Sequence, residues 1–108
     1  RETKQRAADD KRTAAFEKMQ RDIQGYLEQP ALLEFMDRDK DRYRRGEKVS
    51  RLDYVRGHLA EAEEGEKKAK PGTVFGSSSG VWSSLRWALE ELRDSAKLAR
   101  SYKIKVKG

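Results

Sequence analysis

The sequence predicts a mainly α fold: a small four-helix bundle-like domain with a Gly/Ser-rich loop and a short β element or basic C-terminal tail. Three observations carry that expectation. Apolar residues recur at spacings of three and four in four separate stretches. Proline and glycine punctuate the boundaries between them. The connections are short enough for successive helices to pack as neighbours in a bundle.

The first helix is expected over residues 5–28, where Phe16, Met19, Ile23, Tyr26 and Leu27 share a face and alanines add helix propensity. Pro30 ends it, because the residue before a proline avoids the helical region, and Pro30 itself suits the first position of a second helix. That second helix is expected over 30–45, with Ala31, Leu32, Phe35 and Met36 apolar and Gly46 as its stop. Ser50 then reads as an N-cap, with Asp53 three residues on and Val49 facing Tyr54 across the start of a third helix. Leu52, Val55, Leu59 and Ala62 are its buried face, and Glu61, Glu63, Glu64 and Glu66 oppose the dipole at its end, so fraying is expected there.

Residues 65–80 have the composition of a flexible internal loop, with Thr73, Val74 and Phe75 as a candidate short strand inside it. The fourth helix, 81–100, places Val81, Leu85, Ala88, Leu89, Leu92, Ala96 and Ala99 on one face. The expected core joins Trp82, Leu85, Leu89 and Leu92 to Phe16, Met19, Ile23, Leu32, Phe35, Leu52, Val55 and Leu59. From Tyr102 onward Ile104 and Val106 alternate with lysines, the two-residue period of an edge strand, which would pair with Val74 and Phe75 or remain a basic tail that orders on a partner.

A chain of 108 residues and 12.5 kDa is one domain, residues 1–108, or one piece of a longer protein. Val, Ile, Leu and Phe supply only 19 of those residues, so the core is thin and contact with a partner, a second copy of the chain or another molecule, is expected to contribute to stability. With no Cys, disulfides, thiolate nucleophiles and Cys-bound zinc are excluded, which fits a cytoplasmic location. No apolar run approaches the roughly 18–20 residues of a membrane-crossing helix, and no membrane partner is expected.

Several motifs dissolve on inspection. Gly76, Ser78 and Gly80 match G-x-S-x-G, but the sole histidine, His58, lies upstream of the serine, and the chain is too short for the parallel sheet that aims such a nucleophile. Asp37, Asp39 and Asp41 alternate like the opening of a calcium loop, yet Arg42 stands where the turn glycine belongs and Lys48 where the bidentate glutamate belongs. His58 has no metal-ligand spacing to other donors and reads as a partly exposed helix histidine. No catalytic residue, metal ligand or cofactor site is therefore assigned.

The basic residues carry the functional reading. Lys plus Arg number 25 against 19 Asp plus Glu, a net charge of +6. The excess gathers in three places: Arg38, Arg42, Arg45, Arg51 and Arg56 around the second and third helices; Lys67 and Lys68 in the loop; and Lys103, Lys105 and Lys107 in the tail. Arg38, Arg42 and Arg45 would line one helical face. Such clustering is the electrostatic footprint of phosphate binding, where each neutralised phosphate releases counterions.

The second helix, a turn at Gly46 and the capped helix from Ser50 have the order of a helix-turn-helix. Val49-Ser50-Arg51, Val55-Arg56-Gly57-His58-Leu59 and the Lys-rich run into Gly72-Thr73-Val74-Phe75 resemble the recognition helix and wing of bacterial winged-helix regulators. That resemblance implies DNA as partner, with Arg51, Tyr54 and Arg56 facing a groove. The expected function is non-catalytic, accessory or regulatory nucleic-acid binding, with DNA favoured over RNA. The alternative is a protein-interaction module that docks a helix or a second copy of itself through Trp87 and Leu98 on one flank of the last helix.

Overall fold

The structure, a computed structural model, describes the backbone of residues 2–67 and 79–108 and the side chains of residues 14–65 and 81–108. Four helices and one hairpin follow in order: α1 (Glu2–Leu27), α2 (Pro30–Arg38), β1 (Arg42–Arg44), β2 (Glu47–Val49), α3 (Arg51–Lys67) and α4 (Ser79–Ser101). The mainly helical class holds, with α4 at the centre and packed against α1, α2 and α3.

The reason lies in the composition of α4. Val81, Ala88, Leu92, Ala96 and Ala99 are fully or almost fully buried, and Ser84 and Ser95 are buried beside them. Ala88, Ala96, Ala99, Ser84 and Ser95 are small, which lets neighbouring backbones approach closely. α3 comes close at Gly65, where an added Cβ would stand 2.5 Å from Cγ2 of Val81. α3 runs on to Lys67, so the expected loop loses its first three residues to it, and the last two, Ser79 and Gly80, belong to α4. Val74 and Phe75, the candidate strand, lie outside the described residues.

The expected core is largely the observed one. Phe16, Ile23, Leu32, Leu52, Val55, Leu85, Leu89 and Leu92 are buried, joined by Tyr26, Met36 and Ala62, while Met19, Phe35, Leu59 and Trp82 form a half-buried rim. Trp82 meets Phe16 edge-on with centroids 5.6 Å apart.

The clear departure is at residues 39–49, where the second helix was expected to run on to residue 45. It stops at Arg38, and Asp39 takes an extended conformation. The chain then makes a two-stranded antiparallel hairpin with Arg42 opposite Val49 and Arg44 opposite Glu47. Its two turn residues, Arg45 and Gly46, both have positive φ, 53° and 80°. That is the pairing a type I′ turn requires. Gly46 therefore punctuates the hairpin and not a helix end.

The hairpin is held by charge. Glu91 of α4 is buried, its side chain 7% exposed, and accepts hydrogen bonds from Arg51 Nη1 at 2.9 Å and Arg42 Nε at 3.1 Å. Arg51 Nε also donates to Asp39 Oδ2 at 2.8 Å, and its backbone N–H donates to the Asp39 carbonyl at 2.9 Å. Ser50 supports this corner as the expected N-cap of α3, accepting the Asp53 N–H at 3.1 Å.

A buried pair broken on one side leaves an uncompensated charge, which costs about 3–5 kcal/mol. Because Asp39 would still meet Arg51, Glu91→Ala should lower the urea-unfolding free energy by about 3 kcal/mol, the lower end of that range. Replacing Arg51 and Glu91 together with Met and Leu should restore most of the loss.

Candidate nucleic-acid interface

The hairpin reassigns the arginines. Arg38, Arg42 and Arg45 do not line one helical face, because only Arg38 is helical. Arg42 is turned onto Glu91, and Arg45 sits exposed in the tight turn. Arg51, expected to face a groove, is buried with its side chain only 9% exposed and its guanidinium occupied by Asp39, Glu91 and, at 3.8 Å, Asp41. Burial works to lower its pKa, but the hydrogen bonds and charges of Asp39 and Glu91 prevail and raise it. Arg51 is a structural cation.

A helix-turn-helix is likewise absent from this region, since β1 and β2 separate α2 from α3. Tyr54 leans on His58, with ring centroids 4.5 Å apart. Arg56 remains exposed on α3. Asp39 and Asp41 serve Arg51, and no group of three His, Cys, Asp or Glu that could hold a metal ion occurs among the described residues. The Lys67 side chain, Lys68, the candidate wing at 72–75 and the Gly76 and Ser78 of the serine motif lie outside the described side chains.

The tail has the opposite character. It begins with a Schellman end to α4: Lys103 N–H donates to the Arg100 carbonyl at 2.9 Å and Ile104 N–H to the Ala99 carbonyl at 3.0 Å. Lys103 occupies the left-handed position, φ 65°, where glycine is usual. From there the chain runs beside the end of α1 and the start of α2, in no strand ladder among the described residues; Val74 and Phe75, its expected pairing partners, lie outside them. Ile104 and Val106 pack on the core. Lys107 N–H donates to Gln29 Oε1 at 2.8 Å, Gln29 Nε2 donates back to the Lys107 carbonyl at 2.9 Å, and Tyr26 Oη donates to the Gly108 carbonyl at 3.0 Å.

With the apolar residues facing in, period two leaves Lys103, Lys105 and Lys107 exposed. They line a groove of about 750 Å³ with Arg100, whose Nε donates to the Val106 carbonyl at 2.9 Å. None of these four cations makes an ion pair with a carboxylate among the described residues. The groove continues at both ends. Past Lys107 it meets a depression of about 550 Å³ that includes Arg21 and Arg93, and past Ile104 one of about 620 Å³ that includes Phe35, Arg38 and Tyr102. Arg38 is paired there with Glu34 at 2.7 Å, an exposed pair that adds little stability and leaves the guanidinium available to another anion.

Trp87 and Leu98, the expected flank of α4, differ in exposure: Trp87 is 51% exposed and Leu98 half-buried. Behind Trp87 lies His58, buried and not the partly exposed histidine expected. Its ring stands 5.3 Å from Trp87. Neither ring nitrogen has a hydrogen-bond partner, and Glu61 Oε2 is 3.7 Å from Nδ1, too far to serve. Glu61 is instead bonded to Arg44 at 2.6 Å, whose guanidinium lies across Gly57 in space that a side chain would take.

Comparison with protein-family models, curated proteins and solved structures finds no match to this chain. The chemistry must be read from its own side chains.

The His58 environment makes a testable statement about pH. Desolvation pushes its pKa below the ordinary 6.5, with Arg44 in the same sense and Glu61 and Glu91 opposing. The unfolded chain therefore binds the proton more readily than the folded one. Stability is complete above pH 6.5 and should fall as the pH drops below it. His58→Phe should remove that slope from a urea-midpoint series. Glu61, held below its ordinary 4.5 chiefly by the hydrogen bond from Arg44, contributes a separate loss at still lower pH that His58→Phe leaves in place.

Proposed function

We propose that this chain is a non-catalytic nucleic-acid-binding protein that meets the phosphate backbone along its C-terminal edge. The single observation that carries the reading is the row of exposed cations without carboxylate partners among the described residues, Arg100 in the last turn of α4 and Lys103, Lys105 and Lys107 on a tail tied to Tyr26 and Gln29. An anchored row keeps its charges in place before a ligand arrives, so less conformational freedom is lost on binding than with an unanchored basic segment. Arg21 extends the row at one end, and Arg93 and Arg38, paired with Asp22 and Glu34 at the surface, flank it. Arg42 and Arg51 belong to the fold and take no part.

A second reading, protein interaction through Trp87, is favoured by its exposed ring alone. In that case Trp87→Ala should change the oligomeric mass seen by light scattering. Under the first reading the mass stays as it was.

The test of the first reading is a salt titration with labelled duplex and single-stranded oligonucleotides. Log affinity should fall linearly with log salt, with a slope reporting about four phosphates at about 0.7–0.9 per phosphate. Lys103→Asn, Lys105→Gln and Lys107→Gln together should reduce that slope by about 2–3, with Asn suited to the left-handed position at 103. Salt-independent binding, or none at low salt, overturns the proposal.

A further inference from the structure

Where the basic row begins, at the end of α4, it is flanked by an aromatic side chain that the fold does not bury. Tyr102 is 67% exposed although it sits between two residues that are tightly placed, the last turn of α4 and the left-handed Lys103. Its ring is 5.9 Å from that of Phe35, tilted by 42°, and both line the depression that continues the lysine groove through Ala31 and Ile104. An exposed phenol ring beside unpaired cations has one chemical use that a duplex does not satisfy. In a duplex the faces of the bases are covered by their neighbours, whereas a single strand can lay a base on the ring while its phosphates follow the cations.

We infer that the ligand of this edge is single-stranded nucleic acid, with one base stacked on Tyr102 and the following phosphates on Lys103, Lys105 and Lys107. This rests on the reading of the C-terminal edge as a phosphate-binding surface, and it adds the class of strand and the residue that selects it. The tail's apolar residues, Ile104 and Val106, are committed to the core, so Tyr102 is the base-stacking element and the lysines are the phosphate-binding element. The two parts are separable by mutation.

The experiment is fluorescence anisotropy of the full chain with a labelled ten-nucleotide single strand, a duplex of the same length and inorganic polyphosphate, each across a salt series. The single strand should bind more tightly than the duplex. Tyr102→Ala should weaken single-strand binding about tenfold, the equivalent of about 1.4 kcal/mol for a lost base–aromatic stack, with an unchanged salt slope and unchanged polyphosphate binding. Tyr102→Phe should retain most of the affinity, because the ring face is what is used. Circular dichroism of each variant establishes that the helices are intact, as expected for an exposed side chain. Equal affinity for single strand and duplex, or a Tyr102→Ala variant that binds the single strand as the parent does, overturns this inference while a lysine-dependent salt slope leaves the phosphate-binding reading standing. Absence of binding to all three probes at low salt overturns both.

Discussion

A carboxylate that gives up its water has to be met by cations, and in this chain that demand organises one whole side of the molecule. Glu91 stands on the buried face of α4, and the two arginines that reach it come from separate parts of the sequence, Arg42 on β1 and Arg51 at the start of α3. Asp39 closes the arrangement from the segment after α2. α2, the hairpin, α3 and α4 therefore meet at one buried charge. The arrangement is favourable only with all members present, since attraction between buried ions does little more than offset the loss of hydration. It therefore specifies where the hairpin goes more than it deepens stability.

The same geometry explains why arginine does this work. A planar guanidinium with five donors can face two carboxylates at once, as Arg51 does with Asp39 and Glu91, and it is more weakly hydrated than an ammonium. Lysine, a strongly hydrated point charge, is suited to remain in water. In the described hairpin and α3 corner, Arg42, Arg44 and Arg51 are all bound to carboxylates. Along the tail the cations facing solvent are mostly lysines. A basic composition alone does not distinguish these two populations.

Much of the scaffold was legible in the sequence because its determinants are local. The three-four spacing of Leu85, Ala88, Leu89, Leu92, Ala96 and Ala99 gives α4, Pro30 opens α2, and Ser50 caps α3 through a bond to the Asp53 amide. The hairpin was not legible. Arg42-Tyr43-Arg44 and Glu47-Lys48-Val49 lack an apolar alternation, and Arg45 is not a residue expected at positive φ. What places these strands is remote: Glu91 for Arg42, and Glu61 across Gly57 for Arg44. A signal did exist for two of the misjudged positions. Glu91 falls three residues after Ala88 and four before Ser95, in the middle of a buried stripe, and His58 falls between Val55 and Ala62 in the same relation. A charged or titratable residue at such a position calls for a partner or for neutrality, and the structure supplies the first to Glu91 and the second to His58.

For the candidate site the legible part is the alternation after Tyr102, and it has a consequence that composition lacks. The side-chain period of an extended segment is two, so the residues that anchor the tail and the residues that carry its charge are set by a single register. Ile104 and Val106 can pack on the core only if Lys103, Lys105 and Lys107 face away from it. A slip of one residue would press two ammonium groups into the places of Ile104 and Val106 against the core, at a cost that the tail's few hydrogen bonds to Gln29 and Tyr26 do not offset. Anchoring and outward charge are thus one property of the sequence. A partner of opposite charge meets a row whose direction was already decided by the burial of Ile104 and Val106.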